Sequence, residues 1–176
     1  DDQRRLLLDA ATAMADQMTL SAIKLSAVAK KAYLSPKVAA QCFPKREHLL
    51  TALHQHFLDR LIGTIMATMP PGEARLRKST EAFLDACLSH QRLRRQLVQL
   101  EISNTAVRKA AVARRAGFRT LLALELRAMG IIQADEASRL LRALVEEVSH
   151  AETESGRQLP ALREKMWRFL DLWRPA

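Results

Sequence analysis

The residues best placed to do chemistry lie between Lys24 and Leu50, in KLSAVAKKAYLSPKVAAQCFPKREHLL. Lys37 and Gln41 are four positions apart, about one helical turn, so a helix there presents both on one side. A lysine donates to guanine O6 and N7, and a glutamine pairs with adenine N6 and N7. Each good bidentate contact is worth about 1–3 kcal/mol of discrimination between bases. Pro36, Val38 and Ala40 share the same short segment and complete the candidate groove-facing set. Lys24, Lys45 and Arg46 are candidate phosphate contacts, helped by the backbone N–H groups at the start of the next helix. Ser35 belongs with them and also starts the segment. Its hydroxyl caps a helix whose first position is proline, where the missing N–H costs nothing.

Other chemistries find no support in the residue pattern. His54 and His56 are two apart, which on a helix turns them about 200° from one another, so they cannot share a metal ion. Ser35, Ser79 and Ser149 lack the context of a nucleophile elbow. The 5 glycines are scattered and form no phosphate loop. Cys42 and Cys87 are far apart and match no metal or disulfide spacing, so they read as buried thiols of a reducing cytoplasm. A helical enzyme would need a catalytic constellation that these residues do not supply. The sequence implies no metal and no cofactor.

The elements that position the candidate site follow from helical periodicity. Leu25, Val28, Ala29 and Ala32 fall at i, i+3, i+4 and i+7, one apolar stripe of a short helix. Tyr33-Leu34 reads as a turn. Pro36 onward forms a second short helix with Val38 and Ala39 inward and Lys37 and Gln41 outward. Phe43-Pro44 closes the unit, and Lys45-Arg46-Glu47 opens a long helix with acid in its first turn. Two short helices joined by a tight turn, the second carrying a cation and an amide outward, form the pattern of a DNA-reading helix-turn-helix. A preceding helix over 2–17, with Leu6, Leu7, Ala10, Ala11 and Met14 as its buried face, would brace them.

The long helix runs from about 46 to 69, with Leu49, Leu50, Leu53, Phe57, Leu61, Thr64 and Ile65 as its stripe. Pro70-Pro71-Gly72 ends it, because proline is incompatible with a helix interior. Further helices are expected over 73–89, 91–102, 104–129, about 135–153 and 159–173. Gly130 is placed as a C′ residue, and Asp135 as the cap of the helix that follows. The sequence therefore predicts an all-α chain of about nine helices. Its division is a helix-turn-helix domain over 1–45 and a helical body over 46–176.

The segment from Arg5 to Leu50 resembles the N-terminal domain of the tetracycline-repressor (TetR) family of bacterial transcription regulators. Leu7-Leu8-Asp9-Ala10-Ala11 and Met14 match the family's first helix, and Val28-Ala29 with Ala32 match its second. Leu34-Ser35 matches the end of its turn, and Phe43-Pro44-Lys45-Arg46-Glu47-His48-Leu49-Leu50 the entry to its fourth helix. Four positions depart from the pattern. Thr19 and Tyr33 stand where the family usually has glycine, Ala40 where it has a tyrosine used against the DNA backbone, and Lys24 where a threonine often holds a phosphate. If the backbone at Tyr33 is left-handed, a side chain there costs on the order of 1 kcal/mol.

The resemblance implies a ligand pocket in the body, with Met66, Met69, Phe83, Cys87, Phe118 and Leu122 as lining candidates for an unidentified small molecule. The last two helices would form a twofold four-helix bundle, with Leu141, Leu144, Val148, Met166, Trp167, Leu170 and Trp173 at the dimer interface. Trp167 and Leu172 fall off the main apolar stripe of the final helix, so a second side of it is expected to pack either inside one subunit or against a twofold mate. The expected function is a homodimeric, ligand-responsive transcription regulator, usually a repressor, on a palindromic operator. The alternative is a TetR-like helical fold that has lost operator reading and binds small molecules or proteins.

Charge supports a polyanionic partner without locating it. The chain carries 28 Lys+Arg against 19 Asp+Glu, a net charge of +9. Residues 70–130 hold +7 of this, and residues 1–50 hold +3. Arg92, Arg94, Arg95, Arg114 and Arg115 read as solvated helix exteriors; the other reading is an anionic effector such as a carboxylate or a coenzyme A thioester. No apolar run approaches the roughly 20 residues of a membrane span, and no secretory signal is legible in the first helix. The expectation is a cytoplasmic, nucleoid-associated bacterial protein.

Overall fold

The computed structural model of the chain describes residues 2–173, leaving aside the side chains at 54, 55, 57–62 and 64. His54, Phe57, Leu61, Ile62 and Thr64 therefore lie outside the described side chains. Among the described residues all regular structure is helical. The α-helices are α1 (Asp2–Ala15), α2 (Leu25–Lys31), α3 (Pro36–Cys42), α4 (Arg46–Thr68), α5 (Glu73–Ser89), α6 (Gln91–Ser103), α7 (Thr105–Ala128), α8 (Ala134–Ser155) and α9 (Pro160–Asp171). A 3-10 turn at Leu20–Ala22 sits between α1 and α2.

The chain groups into two compact units, one of residues 1–57 and 90–112, the other of residues 58–89 and 113–176. The division expected at 45/46 follows chain order, whereas packing places α6 with α1, α2 and α3. Helices α4 and α7 each contribute to both units.

In the first unit α1 packs on α2, α3 and α6. Leu7, Leu8, Ala11, Val28, Ala29, Ala39, Phe43, Leu93 and Leu97 form its core. The stripe expected on α1 is shifted: Leu6 is exposed, while Leu8 and Ala15 are buried. The turn after α2 is a Schellman motif. Leu34 N donates to Ala29 O at 2.9 Å and Tyr33 N to Lys30 O at 3.2 Å, which satisfies carbonyls the helix end would otherwise orphan. As expected, Ser35 caps α3, its Oγ accepting from Val38 N at 3.3 Å.

In the second unit α8 packs on α5 and on α9. Its core includes Leu76, Leu84, Cys87, Leu126, Leu141, Val145, Val148, Met166 and Leu170. The end of α7 repeats the motif seen after α2. Ile131 N donates to Leu126 O and Gly130 N to Arg127 O, each at 3.0 Å, with Gly130 at φ +81. The start of α8 differs from the sequence expectation. Gln133 is the cap residue, without a side-chain cap bond. Asp135 lies inside the first turn and accepts from Arg127 Nη2 at 2.7 Å. Leu124 and Leu140 are exposed.

Two buried ionic groups organise this unit. Glu125, 2% exposed, accepts from Gly72 N at 2.7 Å and from Arg75 Nε at 2.8 Å. Arg75 also donates to the carbonyls of Met69 at 3.0 Å and Met66 at 3.3 Å, at the C-terminal end of α4. The proline-glycine break after α4 is thus closed by an arginine from α5 and a carboxylate from α7. The second group centres on Glu152, which is fully buried and accepts from Arg163 Nε and Nη2 at 2.7 Å and from Leu159 N at 2.8 Å. Arg163 Nη2 reaches Asp85 at 2.8 Å, tying α9 to α5. The hydrogen-bonded Glu152 carboxylate holds the Arg163 pKa above its ordinary value.

Candidate nucleic-acid interface

The α3 helix separates its faces as the sequence expects. Ala39 is fully buried and Val38 is half-buried, while Pro36, Lys37, Ala40 and Gln41 are exposed. Lys37, Ala40 and Gln41 fall at i, i+3 and i+4, one continuous outward strip. Lys24, Ser35, Lys45 and Arg46 are also exposed. Arg46 has a structural task as well, since its Nη2 donates to Leu20 O at 2.6 Å. Arg4 stacks over the Phe43 ring at 4.6 Å and reaches Cys42 O at 3.4 Å, bracing the C-terminal end of α3 against α1.

The loop leading into α2 is held from α6, which sequence reasoning did not anticipate. Gln96 accepts from Leu20 N and donates to Ala15 O at 3.1 Å and Met18 O at 3.3 Å. His90, the residue before α6, meets Asp16 at 2.7 Å, and His56 of α4 meets Asp9 of α1 at 3.0 Å. One glutamine amide therefore satisfies three backbone groups where α1 has ended and α2 has not begun. No local signal could have revealed this, because the partners are about eighty residues apart in the chain. Gln96→Ala is expected to cost about 1–3 kcal/mol, since it leaves partly buried backbone groups unsatisfied. Urea unfolding measures this directly, and the loss should be larger than for the exposed neighbour Gln99→Ala.

The placement of α6 also locates the charge. The first unit carries 13 Lys+Arg against 6 Asp+Glu, which is +7 of the chain's +9. Most of the basic excess that seemed, along the chain, to lie outside the helix-turn-helix folds beside it. Arg92 and Arg95 of α6 are exposed, as are Arg108 and Lys109 of α7. A concentration of positive charge on the unit bearing α3 favours approach of a polyanion.

The remaining candidate sites lie in the second unit. Phe83 and Phe118 stack with ring centroids 6.1 Å apart and an interplanar angle of 27°. Cys87 and Leu122 are buried, whereas Met66 and Met69 are half-buried and lend their carbonyls to Arg75. Of the residues assigned to a dimer interface, Leu141, Val148, Met166, Trp167 and Leu170 are buried within the single chain, Trp167 under the Arg77 guanidinium at 4.7 Å. They belong to the core between α8, α9 and α5. Leu144 and Trp173 are half-buried, and Leu140 and Leu172 are exposed at 47% and 79%. Among the described residues, no cluster of three metal-ligating side chains occurs and no helix is long and apolar enough to cross a membrane.

Three short N-terminal helices with a helix-turn-helix, a long fourth helix and five further helices make a fold like that of TetR-family transcriptional regulators. A TetR-family regulator from a Rhodococcus species matches the chain with a TM-score of 0.79 and 21% identity, over 99% of this chain and 100% of its own. GusR of Salmonella enterica matches with a TM-score of 0.72 and 18% identity, over 98% and 95%. A TetR transcriptional regulator from Rhodococcus sp. RHA1 gives 0.67 and 22%, over 98% and 97%. No protein-family model and no curated protein matches the sequence, so the likeness is one of fold.

Proposed function

We propose that this chain is a DNA-binding transcription regulator that reads a palindromic operator as a homodimer and is released by a small molecule. The observation that carries the reading is the exposed strip Lys37, Ala40 and Gln41 on a capped α3 within the unit that bears +7 of charge. Lys37 and Gln41 read base edges, while Lys24, Lys45 and Arg46 hold phosphates. Phosphate contacts set the register and base contacts set the sequence.

A single short recognition helix touches few base pairs, and a twofold dimer doubles the contacts across two half-sites about one helical turn, or a multiple of it, apart. We place the dimer face on α8 and α9, at Leu140, Leu144, Phe169, Leu172 and Trp173. These apolar side chains remain at least partly open once the chain's own core is filled. Leu140→Glu with Leu172→Glu is expected to give a folded monomer by light scattering. An unchanged dimer mass would place the interface elsewhere.

The effector is an unidentified molecule held near Phe83 and Phe118, with Met66, Met69, Cys87 and Leu122 around it. Release requires that the effector bind the non-DNA-binding state more tightly, since equal affinity for both states shifts nothing. The function is tested by footprinting on the DNA upstream of the protein's own gene. Two protected half-sites with twofold symmetry are the expected result. A folded dimer that protects no sequence would instead favour a TetR-like module without operator reading, the alternative that the departures at Tyr33 and Ala40 motivate.

A further inference from the structure

Tyr33 stands out on the reading head. It is the non-glycine residue with positive φ among the described residues, at +55, and it is 97% exposed. The Schellman turn needs a left-handed residue at this position, and the lowest-cost solutions are glycine or asparagine. A tyrosine there carries backbone strain, and its ring packs against nothing that could offset it. Strain held by an exposed side chain in a rigid turn is more often tied to a binding role than to stability.

The surroundings indicate what the ring meets. Lys30 and Lys31 end α2 on one side and Lys37 begins the outward strip of α3 on the other, all exposed. The chain from Tyr33 to Lys37 spans four residues, less than about 15 Å even if extended. Two hydrogen bonds, Leu34 N to Ala29 O and Tyr33 N to Lys30 O, fix the backbone on either side. The phenol is thus held outward on a rigid turn, among cations, beside the residues that enter the groove.

We infer that Tyr33 is a DNA-backbone contact: its hydroxyl donates to a phosphate oxygen flanking the bases read by α3. The inference rests on the operator-binding function proposed above. A neutral donor to phosphate has two signatures. It weakens all sequences alike when removed, because it reads no base. It leaves the salt dependence of binding unchanged, because it brings no cation to displace counterions.

The test compares wild type with Tyr33→Phe and Tyr33→Gly on the footprinted operator and a set of single-base-pair variants of it. Tyr33→Phe keeps the ring and the backbone restraint, and is expected to raise Kd about tenfold on every duplex, the loss of a bond to a charged group. Tyr33→Gly is expected to raise Kd at least as much while its thermal midpoint stays level or rises by up to about 4 °C. The slope of log Kd against log salt should be the same for all three. Kd values within twofold of wild type for Tyr33→Phe would overturn the inference, as would a loss confined to particular base pairs. Wild-type protein that binds no operator refutes the function itself, so the two failures are distinguishable.

Discussion

Glu125→Ala is expected to destabilise the chain by about 3–5 kcal/mol, because it strands a buried guanidinium. Arg75 is 5% exposed, and the carboxylate it would lose also accepts from Gly72 N. The remaining partners of Arg75, the carbonyls of Met66 and Met69, cannot neutralise its charge. The double variant Arg75→Met, Glu125→Leu removes both charges and should recover at least half of the loss. Pairs replaced together by apolar groups of similar size are often neutral, whereas pairs broken singly are not. Urea midpoints of the two single variants and the double variant decide the matter. Additive losses in the double variant would show that the two residues act independently and that no closed pair exists.

The position of this pair gives the prediction a functional edge. Arg75 and Gly72 flank the break after α4, so the pair fixes where that helix ends within the second unit. A variant that frees the end of α4 should show faster amide exchange over Ile65–Thr68 at constant temperature, ahead of global unfolding. Stability and local order would then fall together, as expected of a clamp rather than of a surface ion pair.

Lys37→Ala with Gln41→Ala is expected to weaken operator binding by at least about 2 kcal/mol, roughly 30-fold, and to relax the sequence preference at the contacted base pairs. Both side chains are exposed, so the melting midpoint should move by less than about 2 °C. A phosphate-contact variant such as Lys45→Ala should behave differently. It lowers affinity for all duplexes and flattens the salt slope by about one. The contrast between a sequence-selective loss and a uniform one separates readout from positioning. Equal losses on all duplexes for both variants would mean that α3 does not read bases.

The helix-turn-helix was legible from sequence because its determinants are local. The Val28-Ala29 pair, the Ser35-Pro36 cap and the Phe43 to Leu50 entry into α4 each act within a few residues, and the structure places them as that logic requires. Gly130 was legible for the same reason. Periodicity located the helices but did not fix how wide a face each one buries. Leu6 sits on the expected stripe of α1 yet is exposed, because how wide a stripe is covered depends on neighbours that periodicity does not specify. The seven residues assigned to the dimer interface show the same limit, since five of them are occupied in the chain's own core.

The elements that were not legible are long-range and polar. Nothing near Gln96 announces that its amide will satisfy groups at the end of α1. Nothing near Arg75 or Glu152 distinguishes those charges from solvated ones. The net charge read along the chain points away from the helix-turn-helix, whereas the fold brings α6 and its arginines into the same unit.

Sequence-specific DNA reading by α3 can be measured as a specificity ratio. Selection from a randomised duplex pool at physiological salt, followed by Kd on the selected and scrambled sequences, gives the specificity ratio. The expected outcome is a twofold-symmetric sequence, a ratio of at least about 10³, and loss of most of that ratio in the Lys37→Ala, Gln41→Ala variant. Equal affinity of folded, dimeric protein for selected and scrambled duplexes would contradict it.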